Sequence, residues 1–119
     1  MRKLLGNFGE QLAEQHLIEK GYEILHRNWR YSRLGEIDLI AYLPDHKRLV
    51  FVEVKTRGNQ KFGHVSESIS ALKQQKIQQL AEIYIAQAES ERAIEQMSFD
   101  VVLVETQTQP VITHLESAF

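Results

Sequence analysis

Apolar residues recur every three or four positions in two segments of the chain, which is the spacing of one face of a helix. In the first segment they are Leu5, Phe8, Leu12, Ala13 and Leu17. Gly21 suits the end of a helix, so a helix is predicted over roughly residues 4–20. In the second segment they are Leu72, Ile77, Leu80, Ala81, Tyr84 and Ala88. Ser70 is a favourable N-cap, so a second helix is predicted from Ser70 to about Ser90.

Other segments have the alternating or β-branched composition of strands. They are Tyr22–Arg30, Glu36–Leu43, Arg48–Thr56 and Phe99–Glu105, with Val111–Leu115 as a further short edge strand. The order α-β-β-β-α-β predicts one α/β (α+β) domain over residues 1–119, with a mixed sheet and flanking helices.

The register of the hairpin around Pro44–Lys47 brings acidic residues together. An antiparallel pair centred on this turn matches residues whose numbers sum to 91, so Asp38 lies opposite Glu53, and Glu36 opposite Lys55. The same face carries Ile40, Tyr42, Leu49 and Phe51, whereas Ile37, Leu39 and Ala41 oppose Val54, Val52 and Val50 on the other face. A slip of one residue would break this apolar layer, so the apolar pattern fixes the register.

Two opposed carboxylates destabilise a sheet unless something neutralises them. Divalent cations such as Mg²⁺ bind clustered carboxylate oxygens and keep sites open for water and phosphate. Lys55, two residues beyond Glu53, could stabilise the charge on a phosphate or help to deprotonate a water molecule. The alternative is a solvent-facing surface on which Lys55 pairs with Glu36 and arginines neutralise the other acids.

The composition narrows the class of protein. The absence of cysteine excludes disulfides, thiolate zinc sites and cysteine nucleophiles. No apolar stretch approaches the roughly 20 residues of a membrane span, and the apolar start is too short for a signal peptide, so a cytoplasmic protein is expected. The net charge of −2 is uneven: residues 1–79 hold 13 of the 14 lysines and arginines. This asymmetry permits a basic face for nucleic acid on the N-terminal two thirds.

The segments Gly35–Asp38 and Phe51–Arg57 resemble the D…E-x-K signature of restriction-endonuclease-like nucleases. More closely, nearly the whole chain is similar to the YraN-type family of small uncharacterised bacterial proteins. The further matching positions are Gly9-Glu10, Ala13, Gly21-Tyr22, Arg27–Arg30, Phe62-Gly63, Lys73 and Phe99–Val102. Archaeal Holliday-junction resolvases are similar in the same core motifs. The resemblance implies a Mg²⁺- or Mn²⁺-dependent endonuclease that acts on DNA, with branched or junction DNA as one option.

The resemblance also implies a fuller set of ligands. In resolvase-like relatives a glutamate of the first helix joins the metal site, and Glu10 is the matching position here. The predicted metal ligands are therefore Asp38, Glu53, Glu10 and the carbonyl of Val54, and the predicted catalytic side chains are Asp38, Glu53, Lys55 and Glu10. The alternative for Glu10 is that it complements the positive end of the helix dipole.

Several basic residues are candidates for binding nucleic acid, because arginine binds phosphate in bidentate fashion and lysine as a point charge. They are Arg27, Arg30, Arg33, Arg57, Lys61, Lys73 and Lys76. For each one alone, a solvated surface charge is the alternative. RNA remains open as a substrate, a symmetric two-strand substrate would favour a homodimer, and a non-catalytic binding module is the competing interpretation. Trp29 and Asp100 are interpreted as structural.

Overall fold

The computed structural model describes residues 2–58, 69–88, 92–106 and 108–119, with side chains from residue 7 onward. Its helices are α1 (Arg2–Glu19) and α2 (Ala71–Gln87), and its strands are β1 (Glu23–Tyr31), β2 (Gly35–Leu43), β3 (Arg48–Arg57), β4 (Gln96–Glu105) and β5 (Val111–Leu115). The predicted order of elements and the α+β class are confirmed, including the fifth strand. Neither helix is long and apolar enough to cross a membrane.

The five strands form one mixed sheet in the order β1-β2-β3-β4-β5. Strands β1, β2 and β3 form an antiparallel meander, and β5 is antiparallel to β4. Strands β3 and β4 are parallel, so the chain must cross over between them, and α2 lies in that connection.

Each face of the sheet has its own apolar core, one including residues of α1 and the other residues of α2. The α1 core contains Ala13, Leu17, Tyr22, Leu39, Ala41, Val50, Val52, Val102 and Val104. The α2 core contains Ile37, Ile40, Leu49, Phe51, Ile77, Leu80, Ala81 and Tyr84. Strand β3 alternates strictly between the two, so the face that carries Glu53 is covered by α2 rather than open to solvent.

The predicted hairpin register is confirmed for five pairs but ends three pairs before the predicted Glu36–Lys55. Strands β2 and β3 pair from Leu43–Arg48 to Leu39–Val52, and all these residue numbers sum to 91. Beyond Leu39–Val52, the start of β2 stays paired with β1, and the end of β3 stays paired with β4. The two strands therefore separate just where Asp38 and Glu53 begin, and the predicted direct pairs Asp38–Glu53 and Glu36–Lys55 are wrong.

The side-chain alternation of β1 shifts by one residue at Asn28. Arg27 and Asn28 are neighbours, yet both bind glutamates of α1, and Trp29 then packs against Tyr84 of α2. Asn28 has a φ of 50°, a left-handed conformation that asparagine tolerates better than most residues. This φ explains the shift.

The same shift appears on β2. Ile37 belongs to the α2 core with Ile40, so its predicted place on the face of Leu39 is wrong. Ile37 pairs with Trp29, the residue that follows the shift on β1. Trp29 itself packs against the α2 core, which confirms its structural interpretation.

Asp100 is fully buried and is the centre of a polar network. Its carboxylate accepts hydrogen bonds from the Ser98 hydroxyl at 2.9 Å and the Ser117 amide at 3.0 Å, and lies 2.7 Å from Nε2 of His114. A buried carboxylate is tolerated only when its oxygens are bonded in this way. The structural interpretation of Asp100 is confirmed.

Replacing Asp100 with alanine should therefore destabilise the fold strongly. Asp100→Ala leaves three buried polar groups without their acceptor, and we expect a loss of about 3–5 kcal/mol in the free energy of unfolding. Urea denaturation measures this loss, with Asp45→Ala in the exposed hairpin turn as the control, expected within about 0.5 kcal/mol of wild type. A loss below about 1 kcal/mol for Asp100→Ala would contradict the structural role.

Candidate active site

The separation of β2 and β3 is bridged by the side chain of Asp38. Its Oδ2 atom accepts a hydrogen bond of 2.8 Å from the backbone N–H of Val54. Because the ladder has ended, this N–H has no backbone partner on β2, and the carboxylate supplies one. In an extended strand, the N–H and C=O of one residue point to the same side. The Val54 carbonyl therefore faces the same gap, as a ligand would have to.

Glu53 lies next to this gap, on the face covered by α2. Its side chain is only 4% exposed, and its Oε2 atom lies 2.5 Å from Nζ of Lys73. Ser70 caps α2 by accepting the N–H of Lys73 at 3.1 Å, as predicted. The cap holds Lys73 in the first turn of the helix, where it reaches back to the sheet.

Burial and the charges of neighbouring acids change the protonation of Asp38. Burial raises the pKa of Asp38 to about 8, and the negative charges of Glu53 and Glu10 add to the increase, whereas the Val54 hydrogen bond opposes it. Asp38 therefore holds a proton at neutral pH for much of the time. A carboxyl whose pKa is raised by burial and by a neighbouring acid indicates a candidate functional site.

Glu10 is brought to this end of the sheet by a close approach of α1. A Cβ atom on Gly9 would lie 1.9 Å from Oγ1 of Thr56 in β3, so only glycine lets the helix come this near. The Nδ2 atom of Asn28 donates to Glu10 at 3.2 Å and to Glu36 at 3.1 Å. Burial raises the pKa of Glu10, partly offset by the Asn28 bond, and the charges of Glu36 and Glu53 add to the increase.

Lys55 lies two residues beyond Glu53 in β3, on the same face and half-buried. Glu36 forms its ion pair with Arg30, at 2.8 Å, so the alternative in which Lys55 pairs with Glu36 is wrong. Among the residues that the structure describes, no ion pair or hydrogen bond occupies the Lys55 ammonium. Lys55 is therefore available to another anion.

The candidate nucleic-acid residues differ in how they are engaged. Arg27 donates to both carboxylate oxygens of Glu14, whereas Arg30 donates two hydrogen bonds to one oxygen of Glu36. Arg57 lies 3.9 Å from Glu105. Within the described ranges, Arg33 and Lys76 form no ion pair and are exposed. Lys61 lies outside the described residues. Among the described candidates, Arg33 and Lys76 could therefore bind phosphate without first breaking an ion pair.

Two contacts at the site were not predicted. Asn28 joins Glu10 to Glu36, and Lys73 is the partner of Glu53. Asparagine is depleted in strands, so its presence in the middle of β1 was the available signal for a special backbone conformation. No local pattern pairs Lys73 with Glu53, because they are 20 residues apart.

The donor set fits a hard divalent cation in part. Asp38, Glu53 and the Val54 carbonyl offer oxygen at one gap, and carboxylate and carbonyl oxygens are the ligands that Mg²⁺ and Mn²⁺ prefer. Within the described part of the chain, no three histidine, cysteine, aspartate or glutamate side chains already form a metal-binding group. Glu10 is held by Asn28 and would have to turn to become a third carboxylate ligand.

Comparisons with known proteins give a family and a distant structural likeness. The chain matches the Uncharacterised protein family UPF0102 over residues 9–104. It is 41% identical over 122 residues to UPF0102 protein TTE1452 of Caldanaerobacter subterraneus subsp. tengcongensis, covering 99% of this chain and 96% of that protein. It is 42% identical over 120 residues to a UPF0102 protein of Alkaliphilus oremlandii, covering 100% of both. Pyrococcus furiosus SfsA, solved in complex with Ca²⁺, is 12% identical with a TM-score of 0.41, and the similarity covers 97% of this chain and 63% of that one.

The raised pKa of Asp38 predicts how stability depends on pH. Folded Asp38 keeps a proton that the unfolded chain releases, so its contribution is complete below about pH 4 and is lost as the pH rises to about 8. Asp38→Asn removes this loss, which amounts to at most about 1.4 kcal/mol per pH unit. In metal-free buffer, the variant should equal or exceed wild type near pH 8.

Urea unfolding in EDTA at several pH values measures this difference. Asp45→Asn, in the exposed turn, is the matched control and should follow wild type at every pH. A marked loss of stability in Asp38→Asn near pH 8 would indicate that the carboxylate has a structural role instead.

The close approach at Gly9 predicts a second effect of substitution. Gly9→Ala places a methyl group against Thr56, so α1 must move outward, and we expect a loss of about 1–3 kcal/mol in unfolding free energy. Gly58→Ala is the control, because its Cβ would meet Thr106 Oγ1 at an ordinary 3.5 Å. Equal stabilities for the two variants would show that α1 is not tightly packed on β3.

Proposed function

This chain belongs to the UPF0102 family, the YraN-type proteins that its sequence resembles, and we propose that it is a metal-dependent nuclease that hydrolyses DNA. The observation that carries the proposal is the pair of carboxyls, half-buried Asp38 and buried Glu53, at the point where β2 and β3 separate. Lys55 stands beside them with its ammonium available. This combination matches the D…E-x-K signature of restriction-endonuclease-like nucleases.

The stability cost of the acid pair supports a functional role. A half-buried carboxyl with a pKa near 8 beside a buried acid destabilises the folded state at neutral pH. Apolar residues at both positions would avoid that cost, as they do elsewhere in β2 and β3. Sites that break the rules of a stable core in this way are commonly functional.

In the proposed reaction, Asp38, Glu53 and the Val54 carbonyl would hold Mg²⁺ or Mn²⁺, with Glu10 as a further ligand. When bound, the ion would supply positive charge near the phosphate and would lower the pKa of a water molecule. Lys55 positions that water or helps to deprotonate it, and as an ammonium it stabilises the phosphoryl oxygens. The Val54 N–H fixes Asp38, so this ligand is oriented before substrate arrives.

The topology supports a nucleic-acid surface at the same end of the sheet. The turn before β2, which carries Arg33, and the end of β3, which carries Arg57, lie at one edge because these strands are antiparallel. The first turns of α2 bring Lys73 and Lys76 beside Glu36 at this end of the sheet. We propose that Arg33, Arg57, Lys73 and Lys76 contact the phosphate backbone, together with Arg27, Arg30 and Lys61. A homodimer would suit a substrate with two symmetric strands.

A cleavage assay tests the proposal directly. Purified protein is incubated with branched, flapped and linear DNA and with RNA, in Mg²⁺, in Mn²⁺ and in EDTA. We expect cleavage of DNA that needs the metal ion, and a rate lower by about 10²- to 10⁴-fold in Lys55→Ala. Lys20→Ala, an exposed lysine after α1, is the control and should retain the wild-type rate.

The outcomes separate the alternatives. Cleavage that persists in Lys55→Ala would indicate a contaminating nuclease and remove the mechanism. Binding of DNA without cleavage under any metal condition would favour a non-catalytic binding module. Metal-dependent cleavage of RNA alone would keep the site chemistry and change the substrate.

A further inference from the structure

The ammonium of Lys73 neutralises Glu53 without any metal ion. The two side chains form an ion pair of 2.5 Å between Nζ and Oε2, with Glu53 4% exposed and Lys73 47% exposed. A carboxylate buried to this extent needs a charged partner or a proton. Burial lowers the pKa of Lys73, but the hydrogen bond and negative charge of Glu53 outweigh this and leave it above its ordinary value.

The ion pair uses the carboxylate that the proposed metal site needs. Glu53 is the shared residue, because it binds Lys73 and is also a ligand of the proposed metal site. Asp38 instead accepts a hydrogen bond from the Val54 amide. A divalent ion and a lysine ammonium repel each other, and in a buried site this repulsion is only weakly screened. Both cations can therefore occupy Glu53 together only at a large electrostatic cost.

The Lys73 side chain has space to move away from Glu53. Its four-carbon stem is flexible, and the half-exposed side chain lines an open cavity of about 310 Å³ with Glu36, Lys76, Ser70 and Leu34. The backbone of Lys73 stays fixed by the Ser70 cap, so only its side chain has to turn. Glu53 itself lies in a central strand and cannot follow.

We infer that Lys73 is a positioning residue that holds Glu53 as an internal counter-ion in the metal-free protein and gives way when a divalent ion binds. The ion pair and the metal ion exclude each other on the same carboxylate. The inference rests on the proposed metal site. In the metal-free protein, the Lys73 ammonium would balance the charge of Glu53 and so stabilise the folded site.

Calorimetric titration with Mn²⁺ alone, at one fixed pH, tests the exchange. Lys73→Met removes the competing cation, so Mn²⁺ should bind about tenfold more tightly or more, the scale of a charge-assisted hydrogen bond. The same variant should be less stable than wild type in EDTA and should gain more from Mn²⁺. Lys73→Arg retains the charge and should keep an affinity near wild type. Lys20→Met, at an exposed lysine after α1, is the charge-matched control and should leave the affinity unchanged.

A second measurement uses wild-type protein and does not depend on how the variant folds. NMR of the lysine side chains reports the Lys73 ammonium, which should lose its ion pair as diamagnetic Mg²⁺ saturates the site, while Lys76 stays unchanged. Persistence of the Lys73–Glu53 pair at saturation would overturn the inference and leave the nuclease proposal intact. Mn²⁺ binding to Lys73→Met that is no tighter than to wild type would do the same. If neither the wild type nor any variant bound Mg²⁺ or Mn²⁺, both the metal-dependent nuclease and the exchange at Lys73 would be overturned.

Discussion

The end of pairing between β2 and β3 is the constraint on which the rest of the site depends. After Leu39–Val52 the two strands part, and each continues with its other neighbour. A buried strand cannot leave its N–H groups without acceptors, so the Val54 amide needs a partner from a side chain. Asp38 fills this need and is thereby fixed in the gap beside Glu53.

The backbone around this gap is specialised on both sides. On one side, the left-handed Asn28 places its amide between Glu10 and Glu36. On the other, Gly9 allows α1 to contact Thr56 directly. Glycine in a helix costs backbone entropy, and asparagine is unfavourable in a strand. Both residues nevertheless bring acidic side chains to one end of the sheet.

Charge at the site is balanced by three different groups. Burial raises the pKa of Asp38 to about 8 and so favours its protonated form, the ammonium of Lys73 pairs with Glu53, and Arg30 pairs with Glu36. Each of these partners is exchangeable, because it is a proton or a side chain with access to solvent. The buried Asp100 network at another part of the sheet is the contrast: its partners are enclosed, and it serves the fold.

The sequence by itself determined the elements, the hairpin register and the identity of the candidate acids. The elements, the register and the acids Asp38 and Glu53 follow from local spacing, because a period of two or of 3.6 residues is set by the backbone geometry of each element. Glu10 became a candidate only through the family resemblance. Only the tertiary structure decided that the ladder ends before Asp38, that Ile37 changes face, and that Lys73 binds Glu53. These depend on a single left-handed residue and on contacts between distant segments. Neither leaves a periodic trace in the chain, so no pattern of apolar positions could reveal them.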